Sequence, residues 1–232
     1  MTKEEAIITI HNCALLYSNN LSRKNVLFIS KSNDKSMYFE PLFMPENFLH
    51  LTGVKIEKKF EKKLKSLSFF QHAFGNRLNP EQIYFAANGT TEMKLSILPK
   101  LMNIHQTARM VGRYNNPNTG SVLVSDKIAG TITFAMGFRY EDGVYVPNTA
   151  LRENVKNLTD NSQQVLAIFV KPKDKEKYTQ LSYIAKNTSI DSPILRKIVD
   201  EKTDLRHLWA SFDIPRLNTE EPRHSKFPIN PT

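Results

Sequence analysis

The stretch Asn47-Phe48-Leu49-His50-Leu51-Thr52-Gly53 holds the residue best suited to chemistry in this chain. Histidine titrates near neutral pH, with a reference pKa of about 6.5, so it can accept and return a proton under physiological conditions. His50 lies between Leu49 and Leu51, and alternation leaves its ring either buried or facing a cleft. Gly53 supplies backbone freedom where the stretch ends. A second set of candidates comes from spacing. His105, Arg109 and Arg113 fall at successive i+4 positions and would line one helix face, where the arginines could meet a phosphate backbone or simply face solvent.

Other chemistries lack their signatures. His50, His72 and His105 are far apart and no HxxxH or HExxH pair occurs, so no metal site is expected. Neither GxGxxG nor GxxxxGK[ST] is present, which leaves phosphate-loop nucleotide binding and other cofactors without support. The single cysteine, Cys13, excludes an intrachain disulfide framework and a thiolate zinc cluster. It lies in an apolar helical pattern and is expected in the core. Lys and Arg number 32 against 23 Asp and Glu, a formal charge of +9. That surplus favours a polyanionic partner. No apolar run reaches membrane-spanning length, and the N-terminus MTKEEAIITI has acids but no signal-peptide core. A cytoplasmic protein is the expectation.

The positioning elements follow from pattern. Thr2-Lys3-Glu4-Glu5 has capping-box spacing and opens a helix over 2–17 whose Ala6, Ile10, Cys13 and Tyr17 face the core. Residues 25–44 suggest a hairpin. A lysine-rich helix is expected after Gly53, with Phe60, Leu64, Leu67 and Phe74 on one face, and another near Pro99. Beyond the loop at 115–120, segments 121–125 and 131–140 are β-like. Glu141-Asp142-Gly143 is a turn signal, and Val144-Tyr145-Val146 follows it. Asn148 or Thr149 is expected to cap a short helix over 150–155. Gln164–Lys171 is a strand, Asp174 is expected to open a helix carrying Tyr178, Leu181 and Ile184, and Ser192-Pro193 opens another. Helices and strands are largely segregated, so the fold class is α+β: helices packed on an antiparallel sheet. One domain is expected over 1–202, followed by an extended or partly disordered arm over 203–232. Trp209 and Phe212 in that arm could dock a partner.

With these residues laid out, the chain resembles the PBECR4 family, the fourth phage-associated group of barnase–EndoU–colicin E5/D–RelE-like nucleases. The resemblance is carried by the His50 stretch, Val124-Ser125-Asp126-Lys127-Ile128-Ala129-Gly130, Tyr145-Val146-Pro147-Asn148-Thr149-Ala150-Leu151, and Ala167-Ile168-Phe169-Val170-Lys171 with Tyr178. It covers about residues 5–187. It implies a barnase/EndoU/RelE-like fold and a metal-independent endoribonuclease. Such a domain would be a toxin or conflict effector of a phage or mobile element, acting on RNA in the bacterial host and met by an immunity or antitoxin protein. It implies His50, Lys127, Thr149 and Lys171 as catalytic residues. Thr52, Asn148 and Tyr178 join Arg109 and Arg113 as substrate contacts. Histidine would move the proton of the 2′-hydroxyl, a lysine would stabilise the phosphorane, and Thr149 with helix N-terminal amides would hold a phosphate. The alternative is a binding module of the same fold that has lost its chemistry.

Overall fold

The structure is a computed structural model that describes residues 1–32, 35–115, 125–186, 188 and 193–203. The expected β-like run 121–125 therefore lies outside the described residues except at Ser125, and the C-terminal arm does so from 204 onward.

The chain opens with α1 (Lys3–Asn20). Its capping box forms: the Glu5 backbone N–H donates to Thr2 Oγ1 at 3.1 Å, and the Thr2 N–H donates to the Glu5 carboxylate at 2.8 Å. Ala6, Ile10, Cys13 and Tyr17 are all buried. The elements that follow are β1 (Lys24–Ser32), β2 (Lys35–Phe39), β3 (Leu42–Phe43), α2 (Phe48–Thr52), β4 (Lys55–Ile56), α3 (Ser66–Phe74), β5 (Ile83–Tyr84), α4 (Thr90–Leu101), α5 (Ile104–Thr107), β6 (Met110–Arg113), β7 (Lys127–Gly130), β8 (Ala135–Glu141), β9 (Val144–Leu151), α6 (Val155–Leu158), β10 (Gln163–Pro172), β11 (Gln180–Ile184) and α7 (Pro193–Ile198).

The fold is α+β, as expected, with helices packed on an antiparallel sheet of order β2-β1-β10-β6-β7-β8-β9. Strand β3 joins β1, β11 joins β10, and β4–β5 is a separate ribbon. The sheet curls until its β9 edge returns to the chain before β3, where Pro41 and Tyr145 form a parallel bridge. Aromatic rings fill the curl: Phe39 meets Phe138 at 5.1 Å and Tyr145 at 5.0 Å, edge to face. Residues of α1, α3 and α4 share the main core with this face. On the other face α7 covers Leu27, Ile29 and Phe169, and α6 covers Ile128 and Ala135.

Five local expectations are corrected. The lysine-rich stretch after Gly53 is not one helix: it becomes β4, a 3-10 turn at Lys58–Phe60, and then α3. Lys58–Lys62 and Lys59–Lys63 would repel at i,i+4 along a continuous helix. Pro99 does not open a helix but stands in the last turn of α4, which ends two residues later. His105, Arg109 and Arg113 share no helix face, because α5 stops at Thr107 and Met110–Arg113 pairs with β7. Likewise 148–151 belongs to β9 and 180–184 to β11, while the short helix begins at Val155 under an Asn154 cap. Where a strand replaces the expected helix, at 55–56, 110–113, 148–151 and 180–184, pairing with a neighbouring strand outweighs a helical period in the sequence.

Candidate active site

Phe48 and Leu51 of α2 are fully buried and stand three apart, so one face of this short helix points into the core. Phe48 packs on Tyr17 at 5.3 Å and on Phe70 at 5.5 Å. His50 falls on the opposite side, exposed, and lines a cavity of about 670 Å³. That settles the question left open by the leucines on either side: the ring faces a cleft. Gly53 ends α2 in the left-handed region at φ 71°.

The carbonyls left unpaired at the end of α2 are taken by α4. Thr91 Oγ1 donates to the Gly53 carbonyl at 2.8 Å, and Lys94 Nζ donates to the His50 carbonyl at 3.0 Å. The Lys94 stem lies directly over Gly53, where a Cβ would come within 2.7 Å of Lys94 Cδ. Both features require glycine at 53. They also bring an ammonium group to the backbone of the candidate histidine.

The opposite wall is the β9 edge. Gly137 pairs with Thr149 and Phe138 with Pro147, so Asn148 is the extra residue of a β-bulge. A bulge turns its extra side chain out of strict alternation, which lets the adjacent Asn148 and Thr149 both line the cavity. Pro147 has no N–H to give to the ladder, which suits it to a bulge. Ser125 Oγ donates to Asn148 Oδ1 at 3.0 Å, so Nδ2 is the donor end of the amide. Gly137 makes room: a Cβ there would meet Ser125 Oγ at 2.5 Å and Thr149 Cγ2 at 2.7 Å.

The electrostatics are cationic. Burial and the neighbouring Lys55 charge bring the Lys94 pKa down to about 8. His50 is held below its ordinary value by partial burial and then by Lys94, with Lys55 and Arg139 adding to this and Glu141 opposing it. At neutral pH His50 is thus an unprotonated base, and Lys94 is a cation close to losing its proton.

Of the sequence candidates, His50, Asn148 and Thr149 meet at this cavity. The others do not line it. Thr52 is buried, donates to the Leu49 carbonyl at 2.7 Å and accepts the Val54 N–H, so it builds the turn. Lys127 and Arg113 line a second cavity. Lys171 donates to the Glu176 carbonyl at 3.1 Å, stands 3.8 Å from the Glu40 carboxylate, and lies over the ring of buried Tyr178. Arg109 stacks on Tyr183 at 3.9 Å and donates to the Gln106 and Ala108 carbonyls. His72 and His105 are not in the cavity either; His105 is buried and His72 Nδ1 meets the Ser68 carbonyl. Lys94 and Lys55, neither of them among the sequence candidates, also line the cavity. The one signal for Lys94 was a lone cation held directly between the apolar Met93 and Leu95.

Among the described residues no group of three or more His, Cys, Asp or Glu is placed to hold a metal ion, and no helix is long and apolar enough to cross a membrane. The chain matches none of the curated proteins and none of the solved structures compared with it. The family described as phage-Barnase-EndoU-ColicinE5/D-RelE like nuclease 4 matches residues 9–187, a span that contains His50, Lys94 and the β9 bulge, and the chain belongs to this PBECR4 nuclease family.

Proposed function

We propose that this protein is a metal-independent endoribonuclease whose site is the His50 cavity. What carries the reading is one pairing within a nuclease family: a histidine held below its ordinary pKa and a lysine, hydrogen-bonded to that histidine's carbonyl, whose pKa is brought down to about 8. RNA carries its own nucleophile. Neutral His50 takes the proton of a 2′-hydroxyl, and the 2′-oxygen attacks phosphorus. The bond from phosphorus to the 5′-oxygen breaks, and Lys94 supplies the proton to that oxygen. The products are a 2′,3′-cyclic phosphate and a 5′-hydroxyl. Lys55 and the Asn148 amide stabilise the charge on the non-bridging oxygens, and Thr149 adds a hydroxyl. A barnase/EndoU/RelE-like packing fits this role. So does service as a toxin or conflict effector of a phage or mobile element, acting in the bacterial cytoplasm and restrained by an immunity protein.

The test is cleavage of total RNA and tRNA by purified protein in EDTA. His50→Ala is expected to lower the rate about 10²–10⁴-fold. No cleavage by the parent, or equal cleavage by the variant, overturns the proposal. One observation favours a second reading, a binding module without turnover: among the described residues no second histidine lines the cavity. Salt-sensitive RNA binding with no cleavage would support it.

A further inference from the structure

The second cavity, of about 270 Å³, sits where β6 and β7 pair. Arg113 and Lys127 are direct cross-strand partners there. Like charges opposite one another on a sheet repel, and neither side chain forms an ion pair among the described residues. Asp160, held at the rim by Asn115, lines the same cavity and offsets one of the two charges. The wall carries Gln163, whose Oε1 accepts from buried Ser30 Oγ at 2.7 Å. That bond assigns the donor end of the Gln163 amide as Nε2. Guanidinium, ammonium and amide groups therefore bring donors to one small space whose cation pair is under repulsion. Binding of an anion relieves that repulsion.

We propose that this cavity is a phosphate subsite that grips the backbone of a nucleic-acid strand outside the His50 cavity. The inference rests on the nuclease reading for the identity of its ligand. Its residues do no bond-breaking: they position the strand, and the energy is counterion release at two cations.

The test uses the full chain carrying His50→Ala, so that bound RNA is not consumed. Anisotropy of a labelled single-stranded RNA is followed across a salt series, with and without Arg113→Gln and Lys127→Gln together. Affinity is expected to fall about tenfold, and the slope of log K against log salt by about 1.4, or 0.7 per phosphate lost. The melting temperature of the doubly neutralised protein is expected to equal or exceed its parent's, since a repulsive pair has been removed. Unchanged affinity and slope overturn the subsite. Binding of inorganic phosphate that the substitutions abolish while RNA affinity stays the same overturns the strand assignment. RNA that binds through these residues but is never cut by the His50 protein leaves the subsite standing and removes the nuclease reading.

Discussion

His50 and Lys94 are 44 residues apart and joined by a hydrogen bond from the ammonium to the His50 carbonyl. Their pKa shifts run in the same direction for related reasons, since burial disfavours each cation and each is affected by a neighbouring one. The pH dependence follows. RNA cleavage should rise as His50 loses its proton, with a midpoint below 6.5, and fall as Lys94 loses its proton near pH 8. Lys94→Met should lower kcat at least 10²-fold, and Lys94→Arg should carry the falling limb upward because guanidinium does not titrate there. A profile flat from pH 5 to 9 would remove both residues from the chemistry. Lys94 also couples folding to pH. Its folded pKa is about 8 against 10.5 unperturbed, so between these values the unfolded chain binds more protons. Its contribution to stability therefore rises with pH across that window. Burial raises Cys13 to about 12, which acts in the opposite direction above pH 9. Comparison with Lys94→Met cancels the Cys13 effect. Urea melts at pH 7.5 and 10 should show the parent gaining on the variant as pH rises.

At the scale of elements, the bulge in β9 decides the site. Thr149 and Asn148 were legible as polar residues after a proline, but as a helix cap. The strand forms because Gly137 and Pro147 let β8 and β9 pair with one residue to spare, a fact held in two segments at once. Asn148→Ala should lower kcat about 10²-fold with less than about 1 kcal/mol lost in stability, since Asn148 is only half-buried. Gly137→Ala should behave in the opposite way, costing about 1–3 kcal/mol through overpacking against Ser125 and Thr149, read as a lowered Tm. At the other end of the chain, Thr2→Ala should cost about 0.5–2 kcal/mol by removing a cap far from the cavity, with kcat unchanged in the folded fraction.

At the scale of the whole molecule, the surplus of nine positive charges is spread over distinct places. Lys55, Lys94 and Arg139 surround His50, while Arg113 and Lys127 occupy the second cavity. Cleavage under kcat/KM conditions should therefore fall steeply between 50 and 200 mM salt, while kcat at saturating RNA changes little. A kcat/KM insensitive to salt would mean that substrate capture does not use this charge.

Much was readable from the chain alone, because it depends on near neighbours. The Thr2–Glu5 cap, the core stripe of α1, a hairpin within residues 25–44 and the setting of His50 between two leucines are all set within a few residues, whereas the helices and strands that follow alternate along the chain more than their patterns suggest. The tertiary structure decided what pairs at a distance. Which side of α2 bears His50 depended on Phe48 and Leu51 finding Tyr17 and Phe70. Whether Thr149 capped a helix or bordered a cavity depended on Gly137 opposite it. That Lys94, and not Lys127 or Lys171, stands beside His50 depended on α4 closing over the end of α2. Local sequence encodes the propensity of each segment; only packing brings segments far apart in the chain together, and the cavity exists only where they meet.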